Sequence, residues 1–136
     1  MRMAQIDKVK IINRKLIADD RGWFLKAITG TEEGIPSCTG EVYLTMAKPG
    51  QAKGGHYHPV AVEWFTIIEG SAMLKLEDME THETCEIELS LDKAITVFIP
   101  NNVAHIVVNN GDKDFILLAY TDKLYNPKDT IAHKFE

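Results

Sequence analysis

The sequence has few cysteines and no long apolar run. Its 136 residues include only two cysteines, Cys38 and Cys85, and their wide separation gives no support to a disulfide framework or a cysteine-rich zinc site. No apolar run approaches the length of a membrane span, and the first seven residues lack the apolar stretch of a signal peptide. We therefore expect a cytoplasmic protein without a membrane partner.

The chain also lacks an excess of basic residues. Fifteen lysines and arginines against twenty aspartates and glutamates give a formal charge of -5, which disfavours nucleic acid as a partner. The hydrophobic fraction of 45% and the charged fraction of 26% are ordinary for a globular protein, and they exclude disorder, collagen and coiled coil. At this length we expect a single domain over residues 1–136.

Frequent glycines and prolines leave little room for long helices, and short strands are expected between them. Alternation of apolar and polar residues is clearest over 85–91, where one face is core and the other solvated. Nine predicted strands cover residues 9–16, 22–28, 41–47, 63–68, 72–76, 85–91, 95–99, 104–108 and 115–121. Residues 77–83 are predicted to form a solvated loop. Many short strands at this spacing predict an all-β antiparallel sandwich or barrel.

Three histidines and one glutamate carry the strongest chemical signal. His56 and His58 are two residues apart, so both imidazoles lie on the same face of an extended segment. Glu63 follows on the next strand, and His105 comes after a later turn. Three imidazoles and a carboxylate suit a divalent first-row metal with open positions for water or substrate; Zn is favoured, and Fe, Mn, Ni and Co are alternatives.

The spacing of this set resembles the two motifs of the cupin superfamily. The second motif has Asn102 where the family usually has glycine, and asparagine tolerates the positive φ that the turn needs. A narrower resemblance, to nucleotide-sugar epimerase cupins, spans nearly the whole chain. It is carried by DRGWF (20–24), KPG (48–50), KGGHYH (53–58), EWF (63–65) and YNPKDT (125–130).

This resemblance is to the C-terminal cupin domain of capsular-polysaccharide synthesis proteins, and more distantly to dTDP-4-dehydrorhamnose 3,5-epimerases and dTDP-4-keto-6-deoxyhexose ketoisomerases. It implies a small antiparallel cupin barrel of the jelly-roll, RmlC-like type. It also implies a homodimer and a metal-dependent epimerase or isomerase of a 4-keto nucleotide sugar in surface polysaccharide biosynthesis. The metal ligands would be His56, His58, Glu63 and His105.

Two departures bear on this expectation. Ala61 and Val62 stand where the capsular cupins usually carry Lys-Asn. Ala119 stands where rhamnose-type epimerases place a catalytic tyrosine, and Tyr120 is one residue away, which turns it to the opposite face of a strand. In those epimerases, the position of His56 holds the base of a metal-free site. A hydrogen-bonded cluster without metal is therefore the alternative for the four ligands.

Candidate catalytic residues are Tyr43, Lys53 and His56, although His56 cannot be both a metal ligand and the base. Candidate substrate-binding residues are Arg21, Lys53, Tyr57 and Tyr120, with the two basic residues expected near a diphosphate. Two other functions remain open: a metal cupin with redox or decarboxylase chemistry on a small acid, and a non-catalytic cupin that binds a sugar or metabolite.

Overall fold

The computed structural model describes residues 3–20, 22–25, 27–36 and 40–136, and these form an all-β structure. Its strands are β1 (Lys10–Asn13), β2 (Ile17–Asp19), β3 (Gly22–Phe24), β4 (Glu41–Ala47), β5 (Ala52–Tyr57), β6 (Glu63–Glu69), β7 (Ser71–Asp78), β8 (Thr84–Ser90), β9 (Ile95–Ile99), β10 (Val103–Val108), β11 (Phe115–Thr121) and β12 (Ile131–Ala132). Among the described residues there are also three 3-10 helices: Gln5–Lys8 precedes β1, Leu91–Lys93 joins β8 to β9, and Pro127–Asp129 lies between β11 and β12. In this part of the chain, no helix has the length and hydropathy needed to cross a membrane.

Ten of these strands form two five-stranded antiparallel sheets. The first has the order β1-β9-β6-β11-β4 and the second the order β12-β5-β10-β7-β8, while β2 pairs with β3 alone. Buried and half-buried residues alternate along β7, as expected for a strand with one face on a core. The core between the sheets includes Leu74, Leu76, Leu89, Val97, Phe115 and Leu117. The predicted all-β antiparallel fold is confirmed.

Several strand predictions are wrong. β5 and β12 were not predicted from the sequence, because β5 contains two glycines and β12 is only two residues long. The strand expected over 9–16 ends at Asn13, and the strand expected over 22–28 ends at Phe24. The expected loop 77–83 begins too early, since β7 continues through Asp78.

A buried ion pair attaches the segment before β4 to the first sheet. Arg14 pairs with Glu32 and also donates to the carbonyl of Ala27 at 2.9 Å and to the hydroxyl of Thr96. The Glu32 carboxylate accepts from the backbone and hydroxyl of Thr29. Burial acts to raise the pKa of Glu32, but the hydrogen bonds from Thr29 and Arg14 overcome it and lower the pKa to about 2.

Glu32 therefore makes the stability of the protein depend on pH. A pKa lowered on folding contributes stability above the unfolded pKa, near 4.5, and this contribution is lost as the pH falls through about 2. We expect Glu32→Gln to lower the free energy of unfolding at pH 7 by roughly 3 kcal/mol, and the difference from wild type to shrink below pH 4. Urea unfolding from pH 2 to pH 7 measures this.

The matched control is Glu33→Gln. Glu33 pairs with Lys10 at the surface, so its replacement is expected to change the unfolding free energy little at any pH. Equal losses for the two variants, or a Glu32→Gln loss that persists at pH 2, would contradict the assignment.

Candidate functional site

A bulge in β5 places the first two histidines of the site. β5 pairs with β10 so that His56 lies opposite His105, but Gly54 lies opposite Ile106, which leaves Gly55 as an extra residue. Both glycines have positive φ values, 94° and 83°. A Cβ on Gly54 would lie 2.9 Å from the carbonyl oxygen of His105, so the close approach of the two strands requires glycine.

Three imidazoles and one carboxylate then converge inside the barrel. The ring centroid of His56 lies 4.9 Å from that of His58 and 4.7 Å from that of His105. One nitrogen of each ring lies within 4.8 Å of the other two. Glu63, the first residue of β6, places Oε1 2.9 Å from Nε2 of His58 and 3.4 Å from Nε2 of His105. The structure thus brings together all four predicted ligands.

Tyr43 joins this cluster from β4, which β11 separates from β6 in the first sheet. Its hydroxyl donates to Oε2 of Glu63 at 2.7 Å. Burial raises the pKa of the Tyr43 phenol well above its usual value, and the negative charge of Glu63 raises it further. Tyr43 is therefore a neutral hydrogen-bond donor at physiological pH.

The buried carboxylate is held ionised by these neighbours. Burial acts to raise the pKa of Glu63, but the imidazoles of His58 and His105 and the hydroxyl of Tyr43 lower it below its usual value. Oε1 is buried and makes no well-aligned hydrogen bond to any described residue, although two imidazole nitrogens face it.

The three histidines differ in their electrostatics. Burial lowers the pKa of His105 to about 4, and burial together with His58 lowers the pKa of His56. Burial also disfavours the charged form of His58, but Glu63 and the backbone carbonyl of Asp129 raise its pKa above the usual value. At neutral pH, His56 and His105 therefore present lone pairs, as metal ligands and general bases must.

Two cavities, each of about 330 Å³, meet at Tyr43 and His56. The first continues past His58 and Glu63 to the C-terminal segment around Tyr125. The second is lined on its other side by Lys53, His105 and apolar core residues. The histidine cluster is therefore reachable from two sides, and its polar groups lie at the junction.

The remaining predicted residues are placed as follows. Lys53 lines the second cavity. Tyr57 lies next to His56 on β5 and lines neither cavity. Tyr120 also lines neither, because it lies on the other face of β11 from Ala119, where its ring meets that of Trp64 edge-on at a centroid distance of 5.5 Å. Arg21 lies outside the described residues.

The backbone at Asn102 has the conformation that the second cupin motif requires. Asn102 has a φ of 62°, so the turn that usually carries glycine keeps its conformation. Asn109 is buried and donates to the carbonyls of Ala47 and Lys113, while its Oδ1 accepts from Gly111. It therefore ties the end of β10 to the end of β4.

The contribution of the C-terminal segment to the site was not predicted from the sequence. Asp129 lines the first cavity, and its backbone carbonyl accepts from Nδ1 of His58 at 2.8 Å. Asp122 accepts from the backbone of Val62 between His58 and Glu63. Only the motif YNPKDT signalled this part of the chain, and that motif gave no role for an aspartate.

The four side chains fit a divalent cation. One nitrogen of each imidazole lies close enough to the other two to share a cation, and Oε1 of Glu63, which faces His58 and His105, adds a carboxylate oxygen. This set of nitrogen and oxygen donors suits Zn and its first-row neighbours. The buried Oε1 of Glu63, without a well-aligned donor, is the atom that a cation would satisfy.

One curated relative is the UDP-2-acetamido-2,6-beta-L-arabino-hexul-4-ose reductase of Pseudomonas aeruginosa. It is 27% identical to this chain over 109 residues, which cover 80% of this chain. The same match covers only 28% of the relative, so the chain spans about a quarter of that protein.

Solved structures share the fold. A dTDP sugar isomerase from Desulfovibrio desulfuricans has a TM-score of 0.86 at 16% identity, with coverage of 98% of this chain and 88% of that one. A point mutant of the 3,4-ketoisomerase QdtA from Thermoanaerobacterium thermosaccharolyticum, in complex with TDP-4-keto-6-deoxyglucose, gives 0.74 at 24% identity, with 90% and 86% covered. The capsular polysaccharide assembling protein CapF from Staphylococcus aureus gives 0.68 at 27% identity, with 90% and 33% covered.

These structures confirm the predicted RmlC-like cupin barrel. The family match covers most of the chain, from residue 17 to residue 132, and includes every strand from β2 to β12. This chain belongs to the family of the polysaccharide biosynthesis C-terminal domain.

Proposed function

We propose that this cupin domain binds a divalent cation and epimerises or isomerises a 4-keto nucleotide sugar in surface polysaccharide biosynthesis. The observation that carries the proposal is the convergence of three imidazoles, Glu63 and Tyr43 where two cavities meet. The similar proteins supply the substrate class: one is a dTDP sugar isomerase, one binds a TDP 4-keto sugar, and the curated relative is named for a UDP sugar. A cytoplasmic location stays a prediction.

The chemistry requires a proton to leave a carbon next to the ketone and another to return. When the C–H bond breaks, its electron pair moves toward the ketone, whose oxygen gains negative charge. His56, His58, Glu63 and His105 would hold a cation, which when bound would supply Lewis-acid stabilisation of that charge. Tyr43 holds its proton at physiological pH and lines both cavities, so we assign it as the proton donor.

The base is one of the two other candidates, Lys53 and His56, both of which line the second cavity. His56 cannot serve while its lone pair binds a cation, since one nitrogen cannot do both. In the cation-bound site this role is therefore assigned to Lys53.

The position of Tyr43 also accounts for the missing tyrosine of the rhamnose-type epimerases. Tyr43 on β4 is the direct cross-strand partner of Ala119 on β11, where that tyrosine is expected. Paired residues in adjacent strands point to the same face. Ala119 is fully buried and small, so it leaves room for the neighbouring ring. We propose that Tyr43 supplies from β4 the phenol that β11 lacks.

Cation binding is the first test. We expect about one Zn²⁺ per chain after dialysis, measured by elemental analysis, and Glu63→Gln to weaken binding by at least about tenfold in a competition titration. Glu77→Gln is the matched control, since Glu77 also lies 3.0 Å from two histidines, His82 and His133, but outside the site. Wild-type protein that retains no first-row cation, or equal losses in both variants, would refute the metal site.

Proton exchange is the second test. The protein is expected to wash deuterium into the carbon next to the ketone of a dTDP- or UDP-4-keto sugar, as followed by mass spectrometry. Tyr43→Phe should slow exchange by roughly 10²–10⁴-fold because it removes the proton donor. No exchange with any such sugar would count against the proposed reaction.

A swap variant tests the cross-strand replacement directly. Tyr43→Ala combined with Ala119→Tyr moves the phenol across one pair of strands and nearly conserves the side-chain volume at the pair. The double variant should exchange deuterium at least about tenfold faster than Tyr43→Ala does. Loss in the double variant equal to that of Tyr43→Ala, with the fold intact by circular dichroism, would oppose the assignment.

We also propose that the protein is a homodimer joined at β4. This strand is an edge of the first sheet, and three of its outward side chains, Val42, Leu44 and Met46, are exposed at 58%, 62% and 44%. Their partners Ile116 and Leu118 extend the apolar surface. A strand that pairs with its own copy across a two-fold axis buries both edges at once, so a second copy fits this surface.

The dimer is tested by sedimentation. Wild type should sediment at twice 15.3 kDa, whereas Leu44→Lys should sediment as a monomer because it places a charge in the apolar row. Ile11→Lys is the control, since Ile11 is an exposed apolar residue of β1, at the opposite edge of the same sheet. A monomeric wild type, or a dimer that only Ile11→Lys disrupts, would exclude the β4 interface.

A further inference from the structure

The C-terminal segment lies beside the connection between the two ligand-bearing strands. β12 pairs antiparallel with β5, with Ile131 opposite Tyr57 and Ala132 opposite His56. Antiparallel pairing means that residues just before β12 lie next to residues just after β5. This register brings Asp129 to the turn that runs from His58 to Glu63.

Asp129 makes three hydrogen bonds to this turn. Its backbone carbonyl accepts from Nδ1 of His58 at 2.8 Å. Its two carboxylate oxygens accept separately from the backbone N–H groups of Val60 at 2.8 Å and Ala61 at 2.9 Å. One residue thus holds both the imidazole of a ligand and the backbone that leads from it to Glu63.

The chemistry of these contacts favours a carboxylate. Each N–H group bonds to its own carboxylate oxygen, whereas an asparagine in the same position would turn its NH₂ group toward one of the two N–H groups. Pro59 has no N–H to contribute, so Val60 and Ala61 are the first donors of the turn. The next N–H, that of Val62, is accepted by Asp122 at 2.9 Å. Asp129 and Asp122 therefore both stabilise the turn. Of the two, Asp129 is the one that also contacts His58.

The carbonyl contact decides which nitrogen of His58 faces the site. A carbonyl oxygen only accepts, so Nδ1 of His58 carries a proton. Nε2 then points to Oε1 of Glu63, 2.9 Å away, and is the nitrogen left for a cation. Metal-binding histidines are oriented in this way when their other nitrogen donates to a carbonyl or carboxylate.

We infer that Asp129 is a positioning residue: its carboxylate fixes the turn between His58 and Glu63 so that its carbonyl holds His58 with Nε2 directed into the site. The orientation of His58 follows from contacts within the chain and does not depend on the proposed function. The consequence for cation affinity rests on the proposed function. Asp129 also lines the first cavity, which ties the C-terminal segment to the site.

The test compares Asp129→Ala with Asp122→Ala. Both variants remove a carboxylate that binds the same turn, so both should lower the melting temperature. Only Asp129→Ala should disturb His58. Long-range proton–nitrogen NMR should show a slowly exchanging Nδ1 proton on His58 in wild type and in Asp122→Ala, and a rapidly exchanging one in Asp129→Ala. Zn²⁺ binding should weaken roughly 10–100-fold in Asp129→Ala relative to Asp122→Ala.

Asp129→Asn serves where the alanine variant does not fold. Its amide keeps one acceptor, so the same changes at His58 are expected in smaller size. An Nδ1 proton on His58 that stays protected in the Asp129 variant, or that exchanges rapidly in wild type, overturns the inference. Failure of wild type to bind any cation removes the metal site of the proposed function, whereas the NMR comparison still decides the role of Asp129.

Discussion

An ionised carboxylate buried inside a β-barrel is the constraint on which the site depends. A carboxylate without partners is costly to bury, so Glu63 is stable only because donors surround it. Tyr43 supplies a hydroxyl, and His58 and His105 supply imidazole edges. These partners come from β4, from the residue after β5, and from β10, so the barrel must close in this register for Glu63 to be accommodated.

The backbone achieves that register through local irregularity. The extra residue in β5 lets His56 face His105 while the ladder continues past Gly54, and both glycines adopt conformations that other residues rarely adopt. A regular ladder would shift the side chains of β5 by one residue and turn both histidines away from Glu63. The GG pair is thus part of the site although it contributes no side chain.

The sequence predicted the parts of this arrangement that follow from local periodicity. Two-residue spacing placed His56 and His58 on one face, and the turns that precede Glu63 and His105 were expected to bring these two side chains to the same site. Asp129 could not be predicted, because it is 71 residues from His58 and arrives through a two-residue strand without a hydrophobic pattern. The same long-range pairing explains Tyr43, whose relation to Ala119 is visible only once β4 and β11 are in register.

The charge of the cluster favours an anionic ligand once a cation is present. Without a cation, Glu63 raises the pKa of His58 against the effect of burial, while burial lowers the pKa of His105 to about 4. A divalent cation held beside the single carboxylate of Glu63 would leave this buried site with a net positive charge. Low dielectric strengthens the attraction of that charge for anionic oxygens. A site of this kind favours a ligand that carries an acidic group or develops negative charge as it reacts. The proposed 4-keto nucleotide sugar does both, because its diphosphate is anionic and its ketone oxygen gains negative charge in the reaction.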